Sequence, residues 1–179
     1  MWLPTKECNR CHTNNLFDAD ASDTFIKNED LEKELEYEKG SAKGFIASDR
    51  VCLDTNTTSC VDDQLWIAIE QSTDLDAMKC DGILGLSPGD VSLQDDERRA
   101  LRGNNTNRFI ENLYEQGKIQ ERVFSFFLSE YNNYREIPAF TIGGYDIEKF
   151  APNQTLTWNY VTDDTYWTVK LSQVSLGDR

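Results

Sequence analysis

Cys8, Cys11 and His12 stand at the spacing Cys-x-x-Cys-His, and His12 is the only histidine in the chain. That pattern attaches c-type haem through two thioethers and an axial imidazole, and Met78 is the candidate for the second axial position. The plainer reading is a small-loop disulfide beside a solvent-facing histidine. It is favoured because the motif stands in a polar stretch rather than on a helix. A zinc site needs four ligands, which only Cys52, Cys60 or distant carboxylates could complete. A thioredoxin-type redox pair calls for a βαβ setting, which the sequence does not offer. Any Ser or Cys nucleophile would have to use His12 as its base, far from an elbow-like turn. Neither a Walker phosphate loop nor a dinucleotide-binding glycine pattern occurs. The remaining reactive groups are 32 Asp and Glu side chains. Two of them held close together could do acid–base chemistry, but composition selects no pair.

The same carboxylates set the charge. Against 18 basic residues they leave a formal net charge of −14 over 179 residues. An acidic surface repels nucleic-acid phosphates and anionic membranes, so no nucleic-acid partner is expected. No run of 18 apolar residues could span a bilayer. With 39% hydrophobic residues the chain can bury a core. Five cysteines give two local pairs, Cys8 with Cys11 and Cys52 with Cys60, and an odd thiol at Cys80. Glycosylation sequons begin at Asn56, Asn104 and Asn153 in polar, loop-like segments. Close cysteine pairs and sequons together point to an oxidising, secretory lumen. Yet Met1 leads directly into Trp-Leu-Pro-Thr-Lys-Glu, with no signal peptide.

The elements that must position these residues are short. Residues 5–34 read as polar and loop-like. Alternation from Leu35 to Ala47 around Lys39-Gly40-Ser41 predicts a β-hairpin, with glycine supplying positive φ at its turn. Leu65–Ile69 and Asp81–Leu86 read as strands, with a close backbone approach at Gly85. The charged stretch 87–107 reads as a loop. A helix is expected from about Asn107 to Gln116, with Phe109, Ile110 and Leu113 on one face and Gly117 as its stop. Val123–Leu128, Ala139–Ile142, Leu156–Val161 and Tyr166–Leu176 complete the strands. The expected fold is mostly β.

Taken in series, several segments resemble the pepsin-like aspartic proteases. Trp2-Leu3-Pro4 followed by Cys8 resembles the stretch after the family's first Asp-Thr-Gly motif. Phe17–Phe25 resembles its Phe-x-x-x-x-Ser-x-Thr-Phe segment. Tyr37–Gly44 (YEKGSAKG) resembles the flap, and Asp81–Leu86 matches Asp-Gly-Ile-Leu-Gly-Leu. Phe109–Leu128 resembles the helix and strand that follow. Ile142-Gly143-Gly144-Tyr145-Asp146, Trp158 and Tyr166-Trp167 resemble the interlobe strand and the opening of the second lobe. The order holds along essentially the whole chain.

The resemblance implies a pepsin-like acid protease fold in part: most of the N-terminal lobe over residues 1–137, and the interlobe strand with the start of the C-terminal lobe over 138–179. The family's two aspartates, one per lobe, share a proton and activate a water against the peptide carbonyl. No Asp-Thr/Ser-Gly motif occurs here: Asp23-Thr24 is followed by Phe25, and Asp54-Thr55 by Asn56. The chain is therefore read as the piece between the two motifs, catalytically inactive alone, with Met1 an internal methionine. Carried over by residue, Trp2 donates to the flap tyrosine Tyr37, Gly40 and Ser41 form the flap tip, Ile83 lines the primary specificity pocket, and Tyr166 walls the leaving-group side. Asp81 is structural. Glu38 and Lys39 depart from the family's flap, and Cys80 replaces a residue that is commonly aromatic and is expected to be buried. No cofactor is implied. The expected partner is a peptide or protein substrate, the expected state a monomer, and the expected location a secreted, lysosomal or vacuolar lumen. The acidity suits a low-pH lumen, where protonation lowers self-repulsion. The alternative is a non-catalytic, peptide-binding or inhibitory relative.

Overall fold

The computed structural model describes residues 1–11, 13, 15–55, 59–75, 78, 80–89, 108–129, 137–175 and 177. Among the described residues, six strands carry the fold: β1 Trp2–Asn9, β2 Ile26–Tyr37, β3 Gly40–Cys52, β4 Cys60–Thr73, β5 Phe124–Phe127 and β6 Ala139–Ile142. Helix α1 spans Phe109–Glu115 and the single turn α2 spans Ile147–Phe150. The first four strands form one sheet in the order β1-β4-β3-β2, and β5 pairs with β6. The fold is mostly β, as expected.

β4 is the centre of the sheet. Its Leu65–Ile69 run is buried throughout because both faces are covered. Ile67 and Ile69 pack with Trp2 and Ala42 on one face, where Leu65 also meets Ile46. Trp66 and Ala68 pack with Ala47 on the other. There Phe17 meets the Trp66 ring edge-on at 4.9 Å, and Phe25 lies 5.8 Å from it. Between these phenylalanines, the Ser22 and Thr24 hydroxyls donate to the buried Asp49 carboxylate. One segment thus covers the sheet and neutralises a polar group beneath it.

Two strands lie where a loop was expected, because β1 and β2 are the sheet's edges. β2 alternates weakly: Leu31 and Leu35 reach the core while charged neighbours face water. Such charges also protect an exposed edge from pairing with another chain. β1 contains Pro4, which an edge tolerates. β1 runs parallel to β4, Trp2 opposite Ile67.

Asp81–Leu86 is not a full strand. Only Ile83 pairs, antiparallel, with Trp2. The next matching position on β1 falls at Pro4, which has no N–H to donate, and whose carbonyl accepts from Phe17 N at 2.9 Å. The close approach lies at Gly82, where a Cβ would stand 2.4 Å from Trp2 O; Gly85 has open space around it. The hairpin turn is Glu38-Lys39, with Tyr37 paired to Gly40, and none of these takes positive φ. Gly40 is required for room instead: a Cβ there would sit 2.2 Å from Thr73 O. Beyond β6 the expected strands are reduced to one bridge, Val161 with Val169. The Asp163 side chain closes the turn between them by accepting from Thr165 N and Tyr166 N. Leu176 lies outside the described residues.

α1 ends as expected. Gly117 takes φ +66°, and Lys118 N reaches back to Leu113 O at 2.8 Å. Phe109 and Leu113 pack on Val61 of β4. Beside them, Asn112 Nδ2 donates to Gln64 Oε1 at 2.9 Å, and Gln64 Nε2 to Leu65 O at 2.7 Å, with both side chains fully buried. Gln116 accepts from Asp62 N and donates to Asp62 O, each at 2.9 Å, as a neighbouring strand would. Asn112→Leu removes an amide from this buried network. The expected cost is about 1–3 kcal/mol in chemical unfolding of the full chain, despite the better helix propensity of leucine.

Candidate functional site

Trp2 is held by backbone on both sides. Ile67 N donates to Met1 O at 3.0 Å; Trp2 N donates to Ile83 O at 3.0 Å, and Ile83 N to Trp2 O at 3.1 Å. With its main chain fixed this way, its indole Nε1 donates to the Tyr37 hydroxyl at 2.8 Å. The two rings lie tilted, with centroids 6.5 Å apart. Trp2 is 8% exposed and Tyr37 38%. The bond therefore ties the hairpin end of β2 to the sheet's interior while leaving the tyrosine facing outward.

A cavity of about 240 Å³ opens beside this pair. Trp2, Tyr37 and Ile83 line it together, so the structure unites three of the sequence-derived site residues. Leu35 joins them from β2, one strand period before Tyr37, with Ile46, Leu65 and Ile67 from β3 and β4. Period-2 alternation could have identified these as one face. Arg108 lines the cavity too and donates from Nη1 to Pro88 O at 3.0 Å; nothing in its sequence context signalled that role. Gly40 and Ser41 lie at the start of β3, at the hairpin's tip, and do not line the cavity.

Tyr166 is 65% exposed and also lies off this cavity. Its neighbour Trp167 lines a second one, of about 640 Å³, with Trp158, Phe124, Phe109 and Arg108. Trp167 Nε1 donates to Leu86 O at 2.6 Å. A Cβ on Gly89 would come within 2.5 Å of Asp164 O. The C-terminal segment thus lies tightly on the turn that follows Ile83.

The remaining candidates sit elsewhere. Cys8–Cys11 and Cys52–Cys60 are disulfides, the latter joining paired positions of β3 and β4. Cys8 and Cys11 are thus bonded to each other, the plainer of the two readings weighed for them; His12 lies outside the described residues, as do Asn56 and Asn104. Asn153 is exposed in a turn at φ +65°. Cys80 is a free, exposed thiol rather than a buried one, because it stands in a bend and not within a paired strand of the sheet.

Asp81 accepts from Thr13 Oγ1, and from Asn15 Nδ2 at 2.8 Å. These bonds, Thr13's first, hold its carboxyl below the ordinary carboxylate value against a smaller opposing effect of desolvation.

Residues 1–179 match the family described as "Eukaryotic aspartyl protease". The chain belongs to that family, whose activity is aspartic-type peptide hydrolysis. Its relatives include "Probable vacuolar protease A" of Trichophyton verrucosum, 28% identical over 99% of this chain and 42% of the relative. "Cathepsin D" of Bos taurus is 26% identical over 99% and 45%, and "Plasmepsin IV" of Plasmodium falciparum 27% identical over 96% and 35%. The chain therefore spans less than half the length of these relatives.

Two outcomes are expected. Tyr37→Phe and Trp2→Phe each remove the same hydrogen bond, so their effects on stability should be non-additive by about 0.5–1.5 kcal/mol in a double-mutant cycle. For Asp81 the folded state favours the ionised form. Its stabilising contribution is present above about pH 4 and is lost as pH falls through its lowered folded value. Asp81→Asn should therefore flatten the acid limb of a stability-against-pH curve below pH 4.

Proposed function

We propose that this chain forms the substrate-cleft wall of an aspartic endopeptidase: most of an N-terminal lobe in residues 1–137, and the beginning of a second lobe in 138–179. The observation that carries the reading is the Trp2 Nε1–Tyr37 Oη hydrogen bond, with Ile83 closing the same cavity. It fixes the resting position of a hairpin whose outer residues, Gly40 and Ser41, would meet a substrate main chain. Ile83 would offer an apolar surface to the side chain beside the scissile bond. Tyr166 would stand on the leaving-group side, carried by the segment that Trp167 anchors to Leu86 O.

Hydrolysis by this family's mechanism needs two carboxylates close enough to share a proton and polarise a water. The 179 residues contain no Asp-Thr/Ser-Gly motif. The chain alone would hold a peptide without cutting it. A lumenal, acidic setting fits the two disulfides, the exposed Asn153 sequon and the vacuolar names of relatives. No cofactor enters this chemistry, and a monomer is the state proposed.

The second reading, a non-catalytic peptide-binding relative, is favoured by the same cavity, which persists without the dyad. The purified chain should show no pepstatin-sensitive cleavage of a fluorogenic peptide between pH 3 and 5; robust turnover would overturn the reading. Saturable binding of an apolar peptide, lost in Ile83→Asp, would favour the peptide-binding relative. Absence of binding would favour a part that needs its parent.

A further inference from the structure

Three cysteines meet at one corner of the fold. Cys11, bonded to Cys8, shares a small cavity of about 40 Å³ with Cys80. Thr13, two residues after Cys11, and Asn15 both hydrogen-bond the carboxylate of Asp81, the residue next to Cys80. These bonds tether the free thiol beside one end of the disulfide. Cys80 is exposed, so its sulfur is open to approach, and Cys11 is only half-buried. Cys8 does not line that cavity.

We propose that Cys80 exchanges with the Cys8–Cys11 bridge, so that this corner holds two alternative disulfides, Cys8–Cys11 and Cys11–Cys80. The Cys80 sulfur, having lost its proton to water, attacks Cys11 Sγ. A Cys11–Cys80 bond forms and the Cys8–Cys11 bond breaks. The electron pair leaves on Cys8 Sγ, which takes up a proton from water. One disulfide and one thiol stand on each side, so no oxidant or reductant is consumed. The two bridges differ in what they constrain. Cys8–Cys11 closes three residues of sequence separation. Cys11–Cys80 closes a loop of about 70 residues, which removes more entropy from the unfolded chain. It also staples the residues leading to Ile83 onto the end of β1, whose first residue is Trp2. The exchange thus couples disulfide connectivity to the cavity wall.

The test is disulfide mapping of the full chain after equilibration in glutathione redox buffers, acid quenching and differential alkylation. The expected result is alkylation shared between Cys8 and Cys80, with Cys8 carrying at least a tenth of the label, and a Cys11–Cys80 peptide pair. Label confined to Cys80 at every buffer ratio would overturn the proposal. A second arm uses Cys8→Ser with oxidised glutathione. The monomer's free thiols should fall from two to none by forming Cys11–Cys80, with Cys52–Cys60 unchanged. Two persisting thiols, or only glutathione adducts and cross-linked dimers, would overturn it.

Discussion

The cavity wall depends on the position of Trp2. Its main chain is caught between β4 and Ile83, so the strand that carries it cannot slide without breaking bonds on both sides. The indole then fixes the hairpin through Tyr37, 35 residues away in sequence. A β-hairpin on its own is marginally stable in water. This one is held by pairing of β3 with β4 along its length and by the Trp2–Tyr37 hydrogen bond near its tip. The hairpin is thus held by rigid pairing at its base and by the Trp2–Tyr37 bond towards its end.

Close backbone packing is the second constraint. Gly40 against Thr73, Gly44 against Ala68 and Gly82 against Trp2 leave no room for a Cβ. Each brings two segments closer than side chains permit. Close main-chain packing therefore fixes β3 on β4 and the Ile83 segment on β1, and the cavity is lined by apolar side chains that these segments carry.

Much of this was legible in the sequence. Leu65–Ile69 announced a strand, and Gly117 announced the end of a helix. The series of motifs implies the pairing of Trp2 with Tyr37. Other features were illegible for physical reasons. Hydrophobic periodicity reports burial, and the second half of β1 and the whole of β2 bury little, so residues 5–34 read as a loop. The Asp-Gly-Ile-Leu-Gly-Leu run is apolar because it packs, but whether it pairs is decided by Pro4 on another segment. Gly40 looked like a turn residue because proximity to Thr73 leaves no local signature. Arg108 reaches the cavity only because α1 docks where it does.

That docking rests on Gln116, whose side-chain amide takes the place of a neighbouring strand against Asp62. A helix fastened by such pairing cannot rotate or advance by one residue and keep both bonds. It behaves as a ruler pinned at its far mark. Arg108 stands eight residues earlier, at the other end of α1 and about 12 Å along it, bordering both cavities. The placement of a guanidinium in the site is thereby set by an uncharged amide in a different part of the molecule. Evolution can shift the one by altering the other, without touching a residue that lines either cavity.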